Sequence, residues 1–226
     1  MTKNTLTGLR LSSFGVLFKM ALIFSVLKHG SCIKVSIFYE GLCYDSVKFI
    51  GQQLYPNWNS IKSHITVEFV PYGKAIHTSF GDNGYKFMCH HGAAECLANK
   101  YQSCLLKQNM DDTKNVELIY CIMSSNKPGA FDTARNCASE LGYDLTKFTK
   151  CVNSKEADEY LAENGNKTWA VVPNISFVPT IVFDDIFERS LQAQALTDFI
   201  GVVCDRIIDI TPPKICERKP KDKVSV

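Results

Sequence analysis

Ten cysteines in a chain of 226 residues limit this sequence more than any other feature. So many thiols are unusual in a reducing cytosol and point to a disulfide framework in an oxidising compartment. The amino terminus agrees with that compartment. Residues 1–13 are polar, with Lys3 and Arg10 and no acid, and an apolar run over residues 14–27 follows, interrupted by Lys19 and Ser25. Lys28, His29, Gly30, Ser31 and Cys32 come next. This is the order of a secretory signal. A membrane anchor needs about 20 apolar residues, and this run spans 14 with a lysine inside. Gly30 and Cys32 suit the −3 and −1 places of a cleavage site, whereas a cut after Ser31 would put His29 at −3. Residues 1–32 are therefore expected to be a cleaved signal peptide.

Removing them changes two sums. The full chain has 25 basic and 23 acidic residues. Loss of Lys3, Arg10, Lys19 and Lys28 leaves 21 − 23 = −2. Such a balance gives no electrostatic case for nucleic acid as a partner. Nine cysteines remain, at positions 43, 89, 96, 104, 121, 137, 151, 204 and 216. An odd count fits four bridges and one free thiol, and if Cys43 is the free one the other eight allow 105 connectivities. No later stretch is long enough to span a bilayer, and residues 217–226 are expected to form a polar, disordered tail. Asn166 and Asn174 each open a glycosylation sequon.

The patterning of the rest predicts an α/β chain. Residues 33–39 are rich in β-branched and aromatic side chains and read as a buried strand. Residues 43–54 have helical spacing, with Val47, Ile50 and Leu54 on one face. A second strand is expected over 64–70 and short strands over 85–88 and 178–183. Helices are expected over 93–106, 130–141, 155–163 and 191–207, while residues 116–123 are apolar and ambiguous. This order suggests a small sheet carrying a helical insertion over about 75–170, within a domain covering 33–216.

Cys43 falls where the first strand gives way to a helix. Free N–H groups and the positive end of the helix dipole favour a thiolate there, although Asp45 works against it. One helical turn on, where a dithiol site would place its second sulfur, stands Ser46. Its hydroxyl can donate to a thiolate but cannot form a disulfide. At the other end of the chain Pro179 opens a strand, a place that tolerates a missing N–H. Position alone leaves Cys43 open between a nucleophile and half of a structural bridge.

Residues 89–104 read CHHGAAECLANKYQSC. Cys89, His90, His91 and Cys96 are usable zinc ligands, but their spacing matches no common structural zinc pattern. No metal and no cofactor are expected. Cys96 and Cys104 lie two turns apart, about 12 Å on a helix, so they should staple it to other segments rather than bond each other.

This segment resembles the signature of the gamma-interferon-inducible lysosomal thiol reductase family, C-Q-H-G-x2-E-C-x2-N-x4-C. Cys89, His91, Gly92, Glu95, Cys96, Asn99 and Cys104 match it, and His90 stands where the signature has glutamine. The resemblance extends to the first strand with YEGLC, to VPYG at residues 70–73 and to the strand led by Pro179. It implies a thioredoxin-like sheet with a disulfide-stapled helical insertion, a cis-proline at Pro179 facing the reactive cysteine, and reduction of protein disulfides in acidic compartments. Of the family's reactive Cys-x-x-Cys pair only the first maps here, onto Cys43, with Ser46 in the second place. The implied activity is then monothiol exchange or isomerisation through Cys43, supported by Ser46 and Pro179, on disulfide-containing proteins and small thiols, outside the cell or in the lysosome. A catalytically weak binding protein on the same scaffold is the alternative. A monomer is the simplest reading, and the oligomeric state stays open.

Overall fold

The computed structural model describes residues 32–207 and 212–217. The expected signal peptide, apart from Cys32, and residues 218–226 lie outside the described residues.

Strand β1 (Ile33–Tyr39) is the centre of a three-stranded sheet of order β2-β1-β5. It pairs in parallel with β2 (Ile65–Pro71), Ile37 against Phe69, and antiparallel with β5 (Thr180–Phe183), Ile37 against Ile181. The parallel pair needs a crossover. Helix α1 (Tyr44–Phe49), a π turn (Ile50–Leu54) and the short α2 (Trp58–Ile61) supply it. The helix expected over 43–54 thus ends as a wider turn. All four residues of β5 are buried, as suits a strand covered on both faces.

Between β2 and β5 the chain first forms a hairpin, β3 (Ile76–Ser79) with β4 (Tyr85–Met88). Five helices follow: α3 (Ala93–Leu106), α4 (Asp112–Met123), α5 (Phe131–Glu140), α6 (Leu145–Val152) and α7 (Glu156–Trp169). Helix α4 joins two cores. Val116, Ile119 and Met123 pack with the sheet, and Leu118 and Ile122 pack among the other helices. Apolar residues on both faces are what made residues 116–123 ambiguous between helix and strand. The helical core holds Cys104, Cys137 and Cys151 beside Leu105, Phe148 and Ala157.

The helix expected over 191–207 is two, α8 (Arg189–Ala195) and α9 (Phe199–Arg206). Asp198 separates them. It leaves helical geometry (φ −144°, ψ 61°), and its carboxylate accepts from the Gly201 N–H at 3.2 Å, capping α9. Asp144 starts α6 in the same way, accepting from Thr146 and Lys147.

Candidate functional site

From the end of β1 the chain turns through Glu40, Gly41 and Leu42 into α1. The Cys43 N–H donates to the Glu40 carbonyl (3.2 Å), and the Cys43 carbonyl accepts from Val47 (3.0 Å). Cys43 is the N-cap, extended at φ −72° and ψ 124°, and its side chain makes no capping bond. The sulfur faces β5 instead, 4.0 Å from the Val178 carbonyl oxygen. The Val178–Pro179 peptide is cis. Gln192 of α8 clamps this corner: its Nε2 donates to the Pro179 carbonyl (2.8 Å) and its Oε1 accepts from Ile181 (2.9 Å). Cys43 is 9% exposed, while its neighbour Tyr44 is 75% exposed.

Eight cysteines are bridged: Cys89–Cys96, Cys104–Cys151, Cys121–Cys137 and Cys204–Cys216. Among the described residues Cys32 and Cys43 are free. Cys104 staples α3 to α6, and Cys96 ties α3 to Cys89 in the segment just before it, so the two do not bond each other, as expected. The same bond removes both sulfurs from any thiolate metal set. Ser46 lies one turn beyond Cys43, fully buried, and its hydroxyl has no hydrogen-bond partner among the described residues.

The signature segment packs against the turn that carries Cys43. The signature's Asn99 accepts through Oδ1 from the Gly41 N–H at 2.8 Å, and Gln102, at an unspecified position of the segment, accepts through Oε1 from the Tyr39 hydroxyl at 2.6 Å. Burial holds that hydroxyl's pKa well above its ordinary value. A Cβ on Gly41 would meet Asn99 Oδ1 and Gln102 Nε2 at 3.0 Å. Gly73 is at φ +63°, where a Cβ would fall 2.2 Å from Glu40 Cγ. Gly92, at φ +82°, is the N-cap of α3, and Glu95 Oε1 accepts from the His91 N–H at 3.1 Å.

Glu40 was part of the YEGLC resemblance but not of the expected site. It is fully buried, and its Oε1 accepts from the Lys74 N–H (2.8 Å). Glu40, His90 and His91 each bring a ligand atom to within 4.8 Å of the others. No spacing rule could have found this group, because Glu40 and the histidines come from opposite ends of a fifty-residue excursion. Gln192 carried no sequence signal either. Asn166 is exposed on α7, and Asn174 is exposed in the loop before Pro179.

No helix of the described residues is long and apolar enough to cross a membrane. Among solved structures, MdbA, a thiol-disulfide oxidoreductase from Actinomyces oris, matches with a TM-score of 0.55 at 13% identity, over 80% of this chain and 84% of that one. That likeness fixes the thioredoxin-type fold. In sequence, a gamma-interferon-inducible lysosomal thiol reductase-like protein of Anopheles gambiae is 31% identical over 85% of this chain and 86% of its own length. GILT-like protein 1 of Drosophila melanogaster is also 31% identical, over 82% and 79%. The family described as gamma interferon inducible lysosomal thiol reductase matches residues 34–141. With that signature arranged around the turn to Cys43, the chain belongs to the gamma-interferon-inducible lysosomal thiol reductase family.

Proposed function

We propose that this chain is a thiol–disulfide oxidoreductase that works as a monothiol exchanger through Cys43. One observation carries the reading: Cys43 is free and starts a helix, with its sulfur against the Val178–Pro179 corner. The names of its relatives, thiol reductases, support it.

The Cys43 thiolate attacks one sulfur of a substrate disulfide. A new bond joins Cys43 to that sulfur, the substrate bond breaks, and the other sulfur leaves as a thiolate that takes up a proton. The Ser46 hydroxyl, buried and unpartnered, is a donor one turn away. Serine cannot break the mixed disulfide. A second substrate thiol that attacks the linked sulfur releases Cys43 unchanged and isomerises the substrate. Net reduction takes two equivalents of a small external thiol: the first attacks the Cys43 sulfur and releases the substrate thiol, and the second frees Cys43, the pair leaving as a small-molecule disulfide.

The setting follows from the same residues. The apolar run over residues 14–27 and four bridges support delivery through the secretory route, to the lysosome or outside the cell, with Asn166 and Asn174 as the glycosylation sites. A second reading, a binding protein on this scaffold, is favoured by Ser46 and by the slight exposure of Cys43.

Trapping separates the two. The mature protein is mixed with a denatured disulfide-bonded protein at acidic and at neutral pH, quenched with alkylating agent, and analysed by mass spectrometry. The exchanger reading expects a mixed disulfide at Cys43 that Cys43→Ser lacks. No adduct at either pH selects the binding reading.

A further inference from the structure

The exchange chemistry leaves one cluster of side chains without a task. The loop after β4 carries His90 and His91, and both rings turn toward Glu40 at the end of β1. His90 Nδ1 lies 3.4 Å and His91 Nδ1 3.3 Å from Glu40 Oε2. Neither contact has the alignment of a hydrogen bond, so this fully buried carboxylate oxygen has no hydrogen-bond partner among the described residues. A buried charged oxygen left so is costly. We propose that Glu40, His90 and His91 form a binding site for one divalent zinc ion.

The donor chemistry selects the ion. Two imidazole nitrogens and one carboxylate oxygen suit a borderline cation, whereas calcium and magnesium take oxygen ligands. Three protein ligands with a fourth position left to water is the open arrangement common for zinc. Cys89 in the loop and Cys96 in α3 are bonded to each other and do not compete. Glu95 is the supporting anion. It is fully buried, its Oε2 holds the His91 ring at Nδ1, and its Oε1 accepts from the His91 N–H. His91 Nδ1 is also the nitrogen that faces Glu40, so Glu95 gives it up to the ion on binding and stays in place through its bond to the His91 N–H.

The site is also held before any ion arrives. Glu40 is fixed by the Lys74 N–H and by its close approach to Gly73. The histidine loop is closed at its base by the Cys89–Cys96 bond. Formal charge favours a cation: two buried carboxylates converge on the rings. The opposing charge is Lys74, exposed, with Nζ 3.5 Å from His90 Nε2, where it is free to move aside. His90 takes the place of the signature's glutamine, so the third ligand is one the signature does not call for.

The test uses the untagged, disulfide-intact mature chain and does not depend on whether Cys43 is active. Titration with zinc chloride in a calorimeter should show one ion per chain. His90→Gln, an exchange at a half-exposed position, should keep the far-ultraviolet spectrum and weaken zinc binding by at least the about 10–100-fold that loss of a supporting partner costs. Glu40→Gln should weaken it likewise, and Cys43→Ser should leave it unchanged. Cobalt(II) in place of zinc should give visible absorption without a thiolate charge-transfer band. The proposal is overturned if no one-to-one binding is seen, if His90→Gln binds as tightly as the parent, or if the cobalt spectrum shows a thiolate band that Cys43→Ser removes.

Discussion

Replacing Ser46 by cysteine should convert a trapping protein into a resolving one. Cys43 is the N-cap of α1 and residue 46 follows one turn later, so the two side chains are neighbours on the helix surface. In the native chain the mixed disulfide waits for an external thiol. A resolving thiol at an effective molarity of only about 1 M, far beneath the about 10⁵–10⁸ M of well-oriented intramolecular reactions, outruns glutathione at about 1 mM by about 10³. The structure also sets the folding cost. The Ser46 hydroxyl is buried without a partner, a defect worth about 1–3 kcal/mol that a thiol largely removes. Fitting the larger sulfur into a closed site costs about 1–3 kcal/mol. These offset, and the melting midpoint should move by only about a few degrees. The assay is quenched-flow alkylation followed by mass spectrometry, with a denatured disulfide substrate and glutathione present. The native chain should accumulate the Cys43 adduct. Ser46→Cys should lose it at least about 10³ times faster, leaving an internal disulfide between Cys43 and the introduced sulfur. Equal adduct lifetimes in the two proteins would refute the argument that the missing sulfur limits turnover.

Three further outcomes are expected. Removing the Cys104–Cys151 bridge, which closes 47 residues, should cost about 4 kcal/mol on the chain-entropy account, against about 3 kcal/mol for Cys121–Cys137, which closes 16; denaturant midpoints of the two double-alanine variants give the order. Asn99→Ala strips the acceptor from the buried Gly41 N–H, so it should lower stability by about 1–3 kcal/mol and slow Cys43 trapping, whereas Asn99→Asp should restore most of the trapping rate. Glu68 is held below its ordinary value of 4.5: burial pushes it up, but Lys167 (2.6 Å) and Lys34 (3.3 Å) outweigh that. A lowered carboxylate stabilises the fold above its unfolded pKa and loses that contribution as pH falls through the folded one. Melting of Glu68→Gln against pH should therefore show a loss of about 0.2–1 kcal/mol at neutral pH that vanishes in acid.

Much of the fold is legible where a single period governs a segment. Residues 33–39 are apolar or β-branched almost throughout, and they form the central strand. Helix α3 covers residues 93–106 as its pattern indicates. Failures occur where something other than periodicity decides. In α4 two cores claim opposite faces, which erases the amphipathic stripe. Between α8 and α9 a continuous stripe hides a break made by one aspartate, which caps more strongly than it continues a helix. Strand β3 is four residues long and mostly exposed, and it exists because β4 pairs with it.

The site divides along the same line. Cys43 and Pro179 sit at element boundaries, and boundaries leave marks in a sequence: a strand pattern ends, a helix pattern begins, a proline opens a strand. What joins them leaves none, because Gln192 reaches the Pro179 corner from a different helix. The signature around Cys89 is legible as a motif, yet its physical content appears only with the turn it holds. Asn99 secures Gly41, and Glu95 secures His91, which with His90 faces Glu40, three residues before Cys43. A motif some fifty residues away in sequence thus holds the turn from which Cys43 starts its helix. Changes in the signature should therefore be read out at Cys43 even when they never touch it. The single departure from the signature, His90, adds a ligand at the one buried oxygen of that arrangement whose partners are misaligned.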